Sequence, residues 1–192
     1  MHNAEEALQK LKDGHQAFIS QQPMPVNDIP YIHSLAEHGQ HPFAVIVTCS
    51  DSRLAPEIIF NCRLGDLFTI RTAGNVISDV EMGSIEYAVE HLHTPLVVVL
   101  GHTHCGAVES TLEPHEGCSR SLQTLLSAIE PSVETAQKTC SDHAAIANLA
   151  EDLNIENSVH CIKQNPLFAG MADLKIIGAK YDIETGKVLY WK

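Results

Sequence analysis

Five short apolar runs, separated by longer amphipathic segments, dominate the hydrophobic pattern of this chain. Residues 43–48 and 96–100 are continuously apolar rather than alternating, which is typical of strands buried on both faces. Three further runs are predicted to be strands, at residues 67–71, 174–178 and 187–191. A tight turn predicted at residues 184–186 precedes the last run, so the final two strands are expected to form a hairpin.

The segments between these strands are predicted to be helical. The clearest helix covers residues 79–93. A second covers 119–138, where Pro131 can interrupt it, and a third covers 142–164, which Asp142 caps. Strands that alternate with helices predict an α/β fold, with a mainly parallel central sheet of four to five strands flanked by helices.

The first thirty residues are predicted to be an N-terminal helical arm and linker within a single domain of residues 1–192. Residues 4–20 repeat apolar side chains at helical spacing, whereas 21–30 contain three prolines and are expected to be extended. Such an arm either packs on a neighbouring subunit or covers the core of its own chain. The sequence leaves these two alternatives open.

Composition narrows the class of protein. A net charge of −12 argues against a nucleic-acid partner, because phosphate binding needs a basic surface. No run approaches the roughly 18 apolar residues of a membrane span, and no signal peptide is recognisable, so a cytoplasmic protein without a membrane partner is expected. In that compartment the six cysteines indicate metal binding or free thiols rather than disulfides. Cys62, Cys140 and Cys161 are expected to be small core residues.

Two polar motifs follow the two most apolar strands, CSDSR at 49–53 and HTHC at 102–105. The carboxyl ends of parallel strands meet at one edge of a sheet, so Cys49, His102 and Cys105 are expected to share one ion. Two thiolates and a neutral imidazole suit Zn²⁺ and leave a fourth position for water, as in catalytic sites. A closed structural zinc site, or unrelated buried cysteines, is the alternative interpretation.

Two charged residues of the first motif are expected to assist that water. Asp51 lies two residues beyond Cys49, close enough to accept a hydrogen bond from metal-bound water. Arg53 can hold Asp51 through a forked, charge-assisted pair that keeps the carboxylate ionised and away from the metal. His104 is predicted to be a loop residue that points elsewhere.

Six stretches of the chain carry a family pattern: CSDSR at 49–53, LGDLF at 64–68, RTAGN at 71–75, GSIEYAVEHL at 83–92, GHTHCGAV at 101–108 and KIIGAKYDIETGKV at 175–188. On these stretches the chain resembles a β-class carbonic anhydrase over nearly its whole length. The resemblance implies that Cys49, His102 and Cys105 bind one zinc ion per subunit, and that Asp51 and Arg53 orient zinc-bound hydroxide. The implied reaction is the reversible hydration of carbon dioxide to bicarbonate and a proton. The family works as dimers with each site at the subunit boundary, and the dimers often pair into tetramers.

The resemblance is to the plant-like, type I active site of that family. Gln40, nine residues before the first cysteine, would donate to a substrate oxygen, and Phe68 and Tyr87 would supply an apolar wall. Ile46 stands where the other site type has a tryptophan, so the bicarbonate-binding regulatory pocket of that type is not expected. Ala73 replaces a valine and would widen the pocket slightly. Without the family pattern, core or surface roles would be favoured for all three pocket residues.

The sequence leaves the roles of several residues, and two alternative functions, open. His104 and His41 are candidate proton shuttles because imidazole titrates near neutrality. Arg71 and Asn75 are expected to be structural turn residues near the site. One rival function is hydrolysis of carbonyl sulfide or carbon disulfide with the same zinc ligands. Another is an inactive, zinc-stabilised scaffold, which would have no need of Asp51.

Overall fold

A five-stranded sheet forms the centre of the computed structural model, which describes residues 3–114 and 117–191. Its strands are β1 (Ala44–Thr48), β2 (Leu67–Arg71), β3 (Leu96–His102), β4 (Lys175–Tyr181) and β5 (Val188–Trp191). The spatial order is β2-β1-β3-β4-β5, with β5 antiparallel to β4 and every other pair parallel. The predicted α/β fold with a mainly parallel sheet is therefore confirmed, as is the C-terminal hairpin.

Helices cover both faces of the sheet. Across the described ranges they are α1 (Ala4–Ile19), α2 (Ile29–His38), α3 (Pro56–Ile59), α4 (Asp79–Glu90), α5 (Gly106–Leu112), α6 (Arg120–Thr139) and α7 (His143–Lys163). Alternate residues of β1 enter two different apolar clusters: Ile46 packs with residues of α1 and α6, and Val47 packs with residues of α4 and α7. Every residue of β1 and β3 is buried. The continuous apolar runs thus mark strands covered on both faces.

The N-terminal helix α1 covers the core of its own chain, which is one of the two arrangements considered for the arm. Leu11 of α1 is fully buried, and His15 Nδ1 lies 3.1 Å from the Ile59 carbonyl oxygen. Gly14 lets the helix approach closely, because a Cβ at this position would lie 2.0 Å from the Phe60 carbonyl oxygen. The arm is therefore part of the same packed unit as the sheet.

The linker is shorter than predicted, and the helix that follows it was not predicted. The side chain of Asp28 accepts a hydrogen bond from the Tyr31 amide at 3.0 Å and so begins α2 within the segment expected to be extended. Pro30 lies in the first turn of α2, where its missing N–H is tolerated. None of the residues of α2 is buried, although Ile29, Ile32 and Leu35 recur at helical spacing and could have revealed the helix.

Two other helices differ from their predicted extent. The α4 helix ends at Glu90 rather than residue 93, since His93 adopts a left-handed backbone with φ 54°. The α6 helix runs unbroken through Pro131, because buried side chains on both sides of the proline, among them Ile129 and Val133, hold the two halves on the core. Within the described residues, no helix has the length and apolar character needed to cross a membrane.

The cysteine predictions are confirmed only in part. All six cysteines are free thiols, and Cys62 is buried as expected. Cys140 is only half-buried, at the end of α6, and Cys161 is exposed on α7. Their placement in the core was wrong because apolar neighbours along a helix do not reveal which face a single residue occupies.

Candidate metal centre

The edge of the sheet at which β1 to β4 end, called the carboxyl edge below, brings the two polar motifs together. Cys49 directly follows β1, His102 is the last residue of β3, and Cys105 immediately precedes α5. Because β1 and β3 are neighbours, the two sulfurs and an imidazole nitrogen lie within 4.8 Å of one another, and all three residues are buried. The structure therefore gathers the three side chains that the sequence proposed as ligands.

The hydrogen bonds of His102 leave one ring nitrogen available. Its Nδ1 donates to the Thr103 carbonyl oxygen at 2.9 Å, which assigns the proton to Nδ1. Its Nε2 is buried and has no hydrogen-bond partner among the residues that the structure describes. An unsatisfied buried polar atom costs about 1–3 kcal/mol, and a metal ion would satisfy this one. Nδ1 bonded to a carbonyl and Nε2 free is the usual arrangement of a metal-binding histidine.

The two sulfurs have complementary electrostatic environments. The Cys105 thiol donates a hydrogen bond to Cys49, which lowers the pKa of Cys49 to about 4 despite the opposing effect of burial. The Gly74 amide also donates to the Cys49 Sγ, at 3.3 Å. The pKa of Cys105 is raised, because ionising it would break its bond to the Cys49 thiolate and bury a second negative charge. A cation between the sulfurs would hold both as thiolates.

Asp51 and Arg53 form a forked ion pair beside these ligands. Arg53 Nε donates to Asp51 Oδ1 at 3.0 Å, and Arg53 Nη2 donates to Oδ2 at 2.7 Å. The guanidinium lowers the pKa of Asp51 to about 2. With both oxygens engaged, Asp51 stands outside the group of three ligand side chains that the described residues form.

Two arginines tie the loops of the site together. Arg53 Nη2 also donates to the His104 carbonyl oxygen at 3.1 Å and so links the first motif to the second. Arg71, the last residue of β2, donates to the carbonyl oxygens of Asp51 at 2.7 Å and Cys49 at 3.3 Å. Arg71 therefore has the structural position expected of it.

The two candidate shuttle histidines lie in different places. His104 has a left-handed backbone with φ 57°, is exposed, and its Nε2 lies 3.1 Å from Glu184 Oε1. Its side chain thus contacts an exposed carboxylate, as expected for a loop residue. His41 lies with Gln40 along a cavity of about 440 Å³ at the opposite edge of the sheet, where β1 and β3 begin.

The three predicted pocket residues do not meet the metal-ligand group within one chain. Gln40 is exposed and precedes β1, whereas Cys49 follows it, and five residues of strand span about 16 Å. Phe68 pairs with Val45 near the start of β1. The Tyr87 ring, 48 % exposed on α4, lies 6.2 Å from that of Phe68. This edge, at which β1 to β4 begin, is called the amino edge below.

Sequence reasoning missed a polar stripe on α7 that supports the site. Glu151 accepts a hydrogen bond from the Cys105 amide at 3.1 Å, and Asn154 donates to the Gly74 carbonyl oxygen at 2.7 Å. Ser158 donates to the carbonyl oxygen of Asn75, the expected turn residue, at 3.2 Å. The available signal was three polar residues at helical spacing on a face that is otherwise apolar and buried.

Comparison with known proteins assigns the family. The family model described as carbonic anhydrase matches residues 44–188, which is more than half of the chain and includes both polar motifs. The solved structure of the β-carbonic anhydrase CcaA superposes with a TM-score of 0.74 at 28 % identity, covering 96 % of this chain and 95 % of that one. This chain belongs to the β-carbonic anhydrase family.

Other relatives agree with this membership. A carbonic anhydrase of Mycolicibacterium smegmatis is 36 % identical over 192 residues, covering 95 % of this chain and 90 % of that protein. Carbonic anhydrase 2 of Mycobacterium tuberculosis is 50 % identical over 107 residues, covering 55 % and 51 %. The β-carbonic anhydrase CafA of Aspergillus fumigatus superposes with a TM-score of 0.75 at 28 % identity, covering 97 % and 89 %. The protein is thus an enzyme, a carbonic anhydrase.

Proposed function

We propose that the enzyme catalyses the reversible hydration of carbon dioxide to bicarbonate and a proton with one zinc ion held by Cys49, His102 and Cys105. The observation that carries this proposal is the buried group of two sulfurs and one imidazole, whose Nε2 has no hydrogen-bond partner in the described part of the chain. This donor set fits zinc, and three protein ligands leave the fourth position that catalysis needs. When bound, the ion would act as a Lewis acid that makes a water nucleophilic at neutral pH.

The dyad of Asp51 and Arg53 is proposed to orient the reacting water. Asp51 would accept a hydrogen bond from that water. The bond would direct the remaining lone pair of the water oxygen toward the substrate carbon. Its depressed pKa keeps it an acceptor throughout the physiological range. Arg53 occupies both carboxylate oxygens and so prevents Asp51 from turning onto the ion and closing its open position.

The substrate pocket is proposed to include Gln40, Phe68 and Tyr87 contributed by a second copy of the chain. Their place at the amino edge favours this, because a site at the boundary of a dimer does not require them to lie near their own metal ligands. Val80 of α4 is 75 % exposed and Tyr87 is 48 % exposed, so this helix carries apolar surface that a second copy would cover. The proposed assembly is a dimer, or a tetramer formed by two such dimers.

The type I character of the site is also part of the proposal. Ile46 is fully buried in β1 and pairs with Thr69 and Val98, so the position of the alternative tryptophan belongs to the core here. The amide of Gln40 would donate to a substrate oxygen while the two rings exclude water. A cytoplasmic location remains a prediction of the sequence.

Replacing Asp51 tests the proposal most directly. In zinc-loaded Asp51→Ala we expect kcat for carbon dioxide hydration, measured by stopped flow, to fall about 10²-fold because the water loses its orientation. Metal analysis should show zinc content equal to that of the wild type. The matched control is Asp13→Ala, which removes an exposed carboxylate on α1.

Two outcomes would count against the proposal. Zinc-loaded wild-type protein without hydration from neutral to alkaline pH would refute it. Sulfide release from carbonyl sulfide that is much faster than bicarbonate formation would favour the rival hydrolase.

A further inference from the structure

A buried ion pair lies directly behind the metal-ligand loop. Lys180 Nζ on β4 lies 2.8 Å from Glu151 Oε2 on α7, and the two side chains are only 9 % and 5 % exposed. Lys180 also donates to Asp152 Oδ1 at 2.8 Å and to Asn148 Oδ1 at 2.9 Å. The other oxygen of Glu151, Oε1, accepts from the Cys105 amide at 3.1 Å. One carboxylate thus joins a buried cation to the backbone of a proposed ligand.

The local sequence gives the Cys105 amide no acceptor of its own. Cys105 is the N-cap residue that immediately precedes α5, and its side chain makes no capping hydrogen bond. In a capping box, a glutamate or glutamine three residues later would accept from this amide, but that residue is Val108. Glu151, 46 positions further along the chain, takes over the role.

A contribution to fold stability alone does not explain why two charged residues are buried here. Desolvating both ions is so costly that well-packed apolar residues of similar size often serve as well. The geometry of this pair gives it a second task, because one carboxylate oxygen is directed at the ligand loop rather than at the lysine. Lys180 also balances the charge of Glu151, which would otherwise add to two neighbouring thiolates.

We propose that Glu151, neutralised by Lys180, is a positioning residue that fixes the backbone of Cys105 and thereby aims its sulfur at the metal. The proposal rests on the zinc site proposed above. Neither residue touches the substrate or the ion. Their effect passes through one hydrogen bond, from the Cys105 amide to Glu151 Oε1.

Two double variants isolate that hydrogen bond. Glu151→Gln with Lys180→Met keeps an acceptor for Cys105 without a buried charge, and its amide N–H₂ can use the acceptors that Lys180 leaves. Glu151→Met with Lys180→Met is equally uncharged but has no acceptor. Zinc affinity is measured by chelator competition, ligand geometry by the absorption spectrum of the Co²⁺-loaded protein, and folding by thermal unfolding of the metal-free protein.

We expect the methionine double variant to bind zinc about 10- to 100-fold more weakly than the glutamine double variant, which is the usual effect of losing such a support. Its cobalt–thiolate absorption should shift, whereas that of the glutamine variant should match the wild type. Should the methionine double variant not fold, Glu151→Met alone gives the same comparison, since Lys180 keeps Asp152 and Asn148. Asp152→Asn is the control, because it alters a half-buried partner of the lysine that has no bond to Cys105.

Equal zinc affinities and equal cobalt spectra in the two double variants would overturn the inference. The inference would also fail if both double variants lost zinc affinity equally relative to the wild type, because the side-chain acceptor for the Cys105 amide would then make no difference. Wild-type protein that takes up neither zinc nor cobalt would instead refute the metal site itself. The failure of the positioning role and the failure of the proposed function are thus separate results.

Discussion

The two edges of the parallel sheet differ in how much of a site one chain can build. At the carboxyl edge, three ligand side chains are buried within 4.8 Å of one another, and Asp51 is held by the two-pronged contact of Arg53. At the amino edge, Gln40 is exposed and Tyr87 is about half exposed. The candidate ligand group is therefore preformed in one chain, whereas the proposed pocket would need a second copy.

Burial explains the contrast between the edges. Buried polar groups must find partners within the protein, so the carboxyl edge carries a dense hydrogen-bond network that fixes its geometry. Exposed side chains at the amino edge are satisfied by water and need no such network. Four experiments test this difference between the two edges.

Removing one ligand should destroy the carboxyl-edge site completely. In Cys105→Ser we expect almost no zinc by metal analysis and no measurable carbon dioxide hydration, because a serine hydroxyl does not replace a thiolate as a zinc ligand. Cys161→Ser, which alters an exposed thiol on α7, is the control and should keep both zinc and activity. Stoichiometric zinc in Cys105→Ser would mean that the ligand set is wrong.

Thiol chemistry should separate the two edges in the metal-free protein. Cys49 is a thiolate at neutral pH because of its pKa of about 4, whereas burial raises the pKa of Cys62, just before β2, to about 12. We expect iodoacetamide to modify Cys49 at least about a hundredfold faster than Cys62, measured by peptide mass spectrometry. Added zinc should protect Cys49 and leave Cys62 unaffected. Equal rates for the two thiols in the metal-free protein would contradict the assigned environments.

Mixed dimers should reveal which chain supplies Gln40. We expect Gln40→Ala to lower kcat/KM about tenfold, the effect of one lost hydrogen bond of about 1.4 kcal/mol. Cys49→Ser should be inactive. Unfolding and refolding the two variants together should recover activity, because a mixed dimer pairs intact ligands of one chain with an intact Gln40 of the other.

The control for this experiment is the same two proteins combined without unfolding. Recovery only after joint refolding supports a shared site. Activity of the jointly refolded sample no higher than the mean of the two separate samples would show that each chain uses its own Gln40 or none.

The stabilisation that the ion pair of Asp51 and Arg53 contributes should be lost only under strongly acidic conditions. Because the folded-state pKa of Asp51, about 2, lies below the unfolded value of about 3.9, its stabilising effect is complete above pH 3.9 and disappears as the pH falls through about 2. The free energies of unfolding of the wild type and of Asp51→Asn are measured by urea titration of the metal-free proteins. We expect the difference between them, wild type minus variant, to be constant above about pH 5 and to shrink below about pH 4. A difference that grows on acidification would contradict this sign.

Features that depend on neighbours along the chain were predictable. The uninterrupted apolar runs that became β1 and β3 require no knowledge of partners, because a strand covered on both faces must be apolar throughout. The convergence of Cys49 with His102 followed from the rule that parallel strands end at one edge. The helix α2 escaped prediction because Pro30, which lies in its first turn, is equally typical of an extended linker. The exposed position of Cys161 was missed because sequence neighbours do not define a helix face.

The fold class, the family and the set of residues that can hold a metal could be predicted from the sequence, because each of these depends on local patterns and spacings. The packed structure was needed to show that α1 covers the core of its own chain and that Glu151 and Lys180 meet behind Cys105. The same holds for the separation of Gln40 from the ligands by the length of β1. These are contacts between distant segments, whose geometry depends on how helices and strands pack rather than on any short stretch of residues.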